Sequence, residues 1–171
     1  MKTLGYVISI AAAITVAAIA GTAQAATATL KDVTGVIVGN VDLEPSPHGV
    51  LLKVTLTGLP PGEHAFHLHE TAACVPPFTS AGGHFNPFGK EHGLLNPKGR
   101  HAGDLPNIVM PDGDELNVNI LADLVTLEPG KKNSLFDSDG TAIVIHVGPD
   151  DYITDPTGSA GRRIACGVIV P

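Results

Sequence analysis

Three of the chain's eight histidines fall within six positions, in the stretch GEHAFHLHE from Gly62 to Glu70. In an extended segment side chains alternate between faces, so His67 and His69 share one face while Phe66 and Leu68 share the other. The apolar pair can then enter a core while two imidazoles converge outside it, which suits chelation. A second segment, TAIVIH from Thr141 to His146, repeats the pattern, with His146 emerging from a run of β-branched residues. Imidazole nitrogen suits copper, zinc, iron and nickel alike, so residue type alone does not name a metal. Taken singly, a histidine serves as well as a solvated or hydrogen-bonded side chain. Six of eight in matching spacings argue for metal binding.

The other ligands of this kind lie in GGHFNPFGKEHGLLNPKGRHAGD, which adds His84, His92, His101 and Asp104. Three neutral imidazoles and one carboxylate make a closed tetrahedral set of the kind a structural zinc favours. Were His84 shared, one of its nitrogens would face that set and the other the strand-borne histidines. A ring bonded to metal through both nitrogens must lose its second proton, which only two strongly polarising cations enforce.

These residues need a frame, and the chain supplies a β-rich one. Short runs of Val, Ile, Leu and Thr, divided by Gly, Pro, Asn and Asp, predict strands at 26–30, 33–41, 50–56, 65–69, 116–121, 142–147 and 166–170. The stretch 74–111 carries many prolines and glycines and no convincing strand. Loops that long inside a compact domain are functional or disordered, and three histidines with an aspartate favour ordering by a ligand. A shorter irregular segment runs through 148–161. The fold class is all-β: one domain, an antiparallel sandwich or barrel with two functional loops laid against it.

Ahead of that domain, Lys2 precedes an apolar run from Leu4 to Ala20, and Ala23-Gln24-Ala25 supplies the small-x-small pattern of signal cleavage. Residues 1–25 are expected to be a removed secretory signal and 26–171 the working domain, without stable membrane association afterwards. Cleavage takes Lys2, leaving nine basic against seventeen acidic residues, so the formal charge moves from −7 to −8. An acidic chain is a poor partner for nucleic acid. In an oxidising compartment the two cysteines, Cys74 and Cys166, are most simply assigned to one disulfide.

The strings GEHAFHLHE, SAGGHFNP, GRHAGDLPN, IVIH and GRRIACGVI, in this order, resemble the copper,zinc superoxide dismutase family over nearly all of the expected domain. The resemblance implies a Greek-key β-barrel of immunoglobulin-like type, copper at His67, His69, His84 and His146, and zinc at His84, His92, His101 and Asp104, with His84 as bridge. It further implies the Cys74–Cys166 disulfide, Arg163 beside the copper and Asp150 as a carboxylate joining ligand imidazoles of both metals. His64 becomes a structural histidine tying a loop to the barrel, and it points away from His67 and His69 by strand alternation. His48, in a Pro-Ser-Pro-His-Gly turn, reads as solvated.

The activity implied is dismutation of superoxide to dioxygen and hydrogen peroxide, with copper changing oxidation state, zinc structural, and His84 both ligand and proton carrier. Arg163 would attract the anion, since guanidinium stays protonated. An acidic protein with an anionic substrate must steer by local charge. The segment DDYITDPTGSAG, from Asp150 to Gly161, holds no lysine, which leaves Arg162, Lys90 and Lys98 as candidates. The short loop and leader resemble bacterial, periplasmic members, as monomer or homodimer. The alternative is an exported copper- or zinc-binding protein that buffers or delivers metal without turnover. A zinc hydrolase fits poorly, because four protein ligands leave no open zinc position.

Overall fold

The computed structural model describes residues 24–113 and 115–171, so the expected signal segment, but for Gln24 and Ala25, lies outside the described residues. Among the described residues nine strands carry the fold: β1 (Ala26–Asp32), β2 (Ile37–Ser46), β3 (Gly49–Leu56), β4 (Gly62–His64), β5 (Phe66–His69), β6 (Ile108–Met110), β7 (Leu116–Ala122), β8 (Ala142–His146) and β9 (Arg163–Val168). Among the described residues the helical content is one 3-10 turn, Thr79–Ala81, and no helix is long and apolar enough to cross a membrane. Every ladder between named strands is antiparallel.

Seven strands form a sheet in the order β5-β8-β9-β1-β2-β3-β7, and β4 pairs with β6. The chain runs β1-β2-β3 as a meander, crosses to the far side for β5 beside β8, returns to place β7 beside β3, and ends with β9 beside β1. Those crossings are Greek-key connections. The sheet curls round one core in which alternate residues of all sides meet, including Leu30, Val41, Leu52, Phe66, Ile108, Ile120 and Ile145.

Differences from the expected strands have local causes. Residues 33–36 turn rather than extend, because Asp32 Oδ1 accepts from Thr34 N, Thr34 Oγ1 and Val36 N, so β2 begins at Ile37. β2 then continues through Pro45, which is tolerated because β1 pairs only as far as Leu43 and leaves that edge free. Between β4 and β5 the backbone of Ala65 is diverted to Gly148 O and His146 N. β6 ends the long loop, where no strand was expected. β9 lies three residues earlier at its start than the 166–170 segment, and Val170 meets Thr27 in an isolated bridge.

The outward face of β5 and β8 is the one that matters for chemistry. His67 lies opposite Val144 and His69 opposite Ala142, while Phe66 and Leu68 pair with the inward Ile145 and Ile143. A register shift between Ile145 and His146 sets His146 opposite Arg163. Phe78 and Ala81 of the long loop cover this outward face, packing with Ala142 and Val144 of β8 and Cys166 of β9 as a second apolar cluster. The Cys74–Cys166 disulfide ties that loop to β9 across 92 residues of sequence. Closing so long a loop in the unfolded chain is worth about 4–5 kcal/mol in the chain-entropy model.

Candidate metal centre

The long loop reaches the histidine face by lying along the free edge of β5. Leu68 N donates to Gly103 O, Phe85 N to Leu68 O and Glu70 N to Gly83 O, and isolated bridges join His69 to His84 and His67 to Asp104. Position 103 has to be glycine, since a Cβ there would sit 2.3 Å from Leu68 O. These contacts collect six of the eight histidines and one aspartate. None of His67, His69, His84, His92, His101, Asp104 and His146 is more than 6% exposed, which removes the solvated alternative for all of them.

Two four-residue sets of potential ligand atoms result, each within 4.8 Å: His67, His69, His84 and His146, and His84, His92, His101 and Asp104, alongside the trio His67, His92 and Asp150. His84 belongs to both. Its ring centroid lies 4.0 Å from His67 of the first set and 5.1 Å from His92 of the second.

Hydrogen bonds to the outer nitrogens decide which atom each ring of the first set turns inward. His67 Nε2 donates to Asp150 Oδ2 (2.8 Å), His69 Nδ1 to Gly82 O (3.1 Å) and His146 Nδ1 to Gly161 O (3.0 Å). A carbonyl or carboxylate oxygen only accepts, so each of those nitrogens carries the proton and the opposite one keeps its lone pair. The opposite atoms, His67 Nδ1, His69 Nε2 and His146 Nε2, are buried without a partner, and so is His84 Nε2. Four lone pairs facing one another in a dry space repel unless a cation lies among them. Burial, reinforced by neighbouring histidines, lowers these rings from the ordinary 6.5: His67 to about 3, His69 to about 2 and His146 to about 4. They are therefore neutral, as ligands must be.

The second set centres on Asp104. Its Oδ2 accepts the backbone N–H groups of Gly93 and His101, at 2.9 and 3.0 Å. Oδ1 is approached by ring nitrogens of His84 (2.8 Å), His92 (3.0 Å) and His101 (3.3 Å). Burial alone would raise the carboxyl, but the nearby His101 ring and hydrogen bonds from His84 and His92 override it and hold it well below the usual carboxylate range. A tetrahedral donor set of three imidazoles and one anionic oxygen fits zinc.

Asp150 joins the two sets. Its buried carboxylate accepts from His67 Nε2, from His92 Nε2 at 2.9 Å and from Tyr152 N at 2.7 Å. His92 thus faces a carboxylate through each nitrogen. Burial would lower it, but Asp104 and Asp150 together raise it to about 9.

Arg163 enters from β9 and is pinned by Nη2 to Gly82 O (2.6 Å) and by Nη1 to Phe78 O. Gly82 O also accepts from His69, so one carbonyl orients the arginine and a ring of the first set. The positive charge of Arg163 contributes to lowering His69 and His146, which puts it electrostatically within that set. His64 lies apart, its ring nitrogens 2.8 Å from His146 O and Pro60 O, where it ties the loop before β4 to the end of β8. His48 is exposed. Of the steering candidates, Lys98 is paired with Glu91 at 3.3 Å, and Lys90 and Arg162 are exposed.

Three residues with no part in the expected site support it. Asp155 Oδ1 accepts the backbone N–H of His92. Asn107 contacts the backbone of Asp150, and Gly158 packs where a Cβ would fall 1.8 Å from Asp150 Oδ1. Asn107 is the last residue of GRHAGDLPN, and Asp155 and Gly158 lie in DDYITDPTGSAG, where the sequence offered no role for them.

The family model described as copper/zinc superoxide dismutase (SODC) matches residues 37–169. Cu-Zn superoxide dismutase 2 of Aquifex aeolicus is 56% identical over 144 residues, spanning 83% of this chain and 84% of that one. A SOD-like protein from Bacillus subtilis superposes with a TM-score of 0.81 at 39% identity, covering 84% of this chain and 97% of that chain. The Cu/Zn superoxide dismutase from Brucella abortus gives 0.68 at 30% identity, over 85% and 99%. With its barrel, its paired donor sets and these relatives, the chain belongs to the copper/zinc superoxide dismutase family.

Proposed function

We propose that the chain dismutates superoxide, two superoxide ions and two protons giving one dioxygen and one hydrogen peroxide. His67, His69, His84 and His146 hold copper, and His84, His92, His101 and Asp104 hold zinc. When bound, copper would supply the one-electron redox chemistry, while zinc would be redox-silent. The observation that carries this reading is the set of four buried, unpartnered imidazole nitrogens, with His84 Nδ1 simultaneously on Asp104.

The chain's own residues supply the rest. Arg163, fixed by two carbonyls, offers its remaining N–H groups and a permanent charge to a small anion. His84 holds a proton at Nε2 in one half of the cycle and hands it to the reduced substrate in the other, the second proton coming from water. Its Nδ1 stays oriented by the Asp104 set throughout. Asp150 keeps the protons of His67 and His92 on Nε2. Lys90 and Arg162, whose charges are exposed, draw the substrate toward an otherwise acidic surface, with Lys98 partly offset by Glu91.

Residues 26–171 act as one domain after residues 1–25 direct export and are removed, which places the protein in the periplasm, as monomer or homodimer. The test is superoxide removal by the purified, metal-loaded protein before and after copper is withdrawn with zinc retained. Loss of activity with copper is expected. Activity that survives would overturn the assignment, and metal retention without turnover would instead mark a binding protein.

A further inference from the structure

We propose that Asn107 is a positioning residue for Asp150, and through it for the His67 and His92 rings, an inference that rests on the metal assignment above. Asn107 sits immediately before β6. Its Oδ1 accepts the N–H of Asp150 at 2.9 Å, and its Nδ2 donates to the carbonyl of Asp150 at 3.0 Å. One side chain therefore reproduces the reciprocal pair of bonds that two residues exchange in an antiparallel ladder. That pair fixes both the place and the direction of the Asp150 backbone, which a single bond would not.

The amide can point only one way. Asp150 N is a donor and must face the oxygen, whereas Asp150 O and Glu63 Oε1, the latter 3.0 Å from Nδ2, are acceptors and must face the NH2 group. The backbone N–H of Asn107 donates to the Tyr152 hydroxyl (2.8 Å), and the backbone N–H of Tyr152 donates to the Asp150 carboxylate. Asp150 is thus held from the backbone by Asn107 and from the carboxylate by Tyr152, and Asn107 touches both. Asn107 is only three positions beyond Asp104. It connects the segment carrying the carboxylate of one donor set to the carboxylate shared by both, 43 residues away in sequence.

The substitution Asn107→Ala removes both bonds, and Asn107→Asp keeps the acceptor for Asp150 N–H while turning a carboxylate toward Asp150 O and Glu63. Ile108→Val, in the next and buried residue, serves as a control for loss of packing. The readouts are the Nε2–H proton resonances of His67 and His92 in zinc-loaded protein, and the copper dissociation constant by chelator competition. In Asn107→Ala both ring protons are expected to exchange with water too fast to observe, with copper affinity reduced by roughly 10- to 100-fold. Ile108→Val should leave both readouts unchanged despite lowering the melting temperature. Should Asn107→Ala fail to fold, Asn107→Asp carries the same readouts. Ring protons and copper affinity that stay as in the unsubstituted protein would overturn the proposal. If the unsubstituted protein itself removes no superoxide, the dismutase assignment fails instead, and the ring-proton comparison still decides the role of Asn107.

Discussion

The substitution Asp150→Asn keeps the size of the side chain that joins the two donor sets and removes one acceptor. Asp150 receives three donors, His67 Nε2, His92 Nε2 and Tyr152 N, the last two on the same oxygen. An amide has one oxygen and one NH2 group. The better orientation keeps the oxygen on the side with two donors and turns the NH2 toward His67 Nε2, where donor then meets donor. His67 has two ways out: leave its N–H unsatisfied in a site with no exposed side-chain surface, or move the proton to Nδ1. The second restores a bond to the amide but destroys the lone pair aimed into the four-histidine set.

Either outcome forfeits a buried hydrogen bond to a charged group, worth about 1.5–3 kcal/mol. At 1.4 kcal/mol per decade that corresponds to roughly 10- to 100-fold in copper affinity. His92 keeps its acceptor, so zinc should suffer less. The assay is competition between zinc-loaded protein and a chelator for Cu(II), with zinc affinity measured separately on both proteins. Copper affinity within twofold of the original, or a loss that falls mainly on zinc, would refute the tautomer reasoning.

Replacement of Gly158 by Ala sets a Cβ 1.8 Å from Asp150 Oδ1 and 2.7 Å from His92 Nε2, at φ +63; a stability loss above about 2 kcal/mol, read by denaturant unfolding, and weakened zinc retention are expected. Arg163→Glu should reduce kcat/KM by roughly 100-fold while both metals remain at full occupancy, and an unchanged rate with unchanged salt dependence would remove Arg163 from the mechanism. Without metals, His67, His69 and His146 have folded-state values lowered to about 3, 2 and 4, so the stability they contribute is present above pH 6.5 and lost as pH falls below it. His92, raised to about 9, contributes stability below pH 6.5 that disappears as pH rises through 9, so metal-free stability should peak near pH 6.5; a monotonic profile in denaturant titrations from pH 5 to 9 would refute this.

What the chain revealed before folding depends on whether a function is carried by side-chain type or by backbone. His67 and His69 were legible because strand alternation is local, and Phe66 and Leu68 mark which face is the core. The closed donor set around Asp104 was legible from residue types and the second loop from its irregularity, whereas the roles of Arg163 and Asp150 rested on family resemblance. β6 escaped because its three residues, Ile108–Met110, are too few for a periodic pattern, and the turn at 33–36 because a single Asp32 carboxylate overrides a β-branched run.

The choice of nitrogen on each ring had no comparable signal. His69 and His146 are oriented by the carbonyls of Gly82 and Gly161, and a carbonyl has no residue-type signature. Only the folded loop decides that these oxygens, and not others, meet the rings. The same carbonyl of Gly82 holds Arg163, on a segment that the disulfide fastens to β9. Ligand identity is thus written in the histidines, but the lone pairs become a site only when loop backbone, anchored by Cys74–Cys166 and seated on the edge of β5, chooses which nitrogen carries the proton.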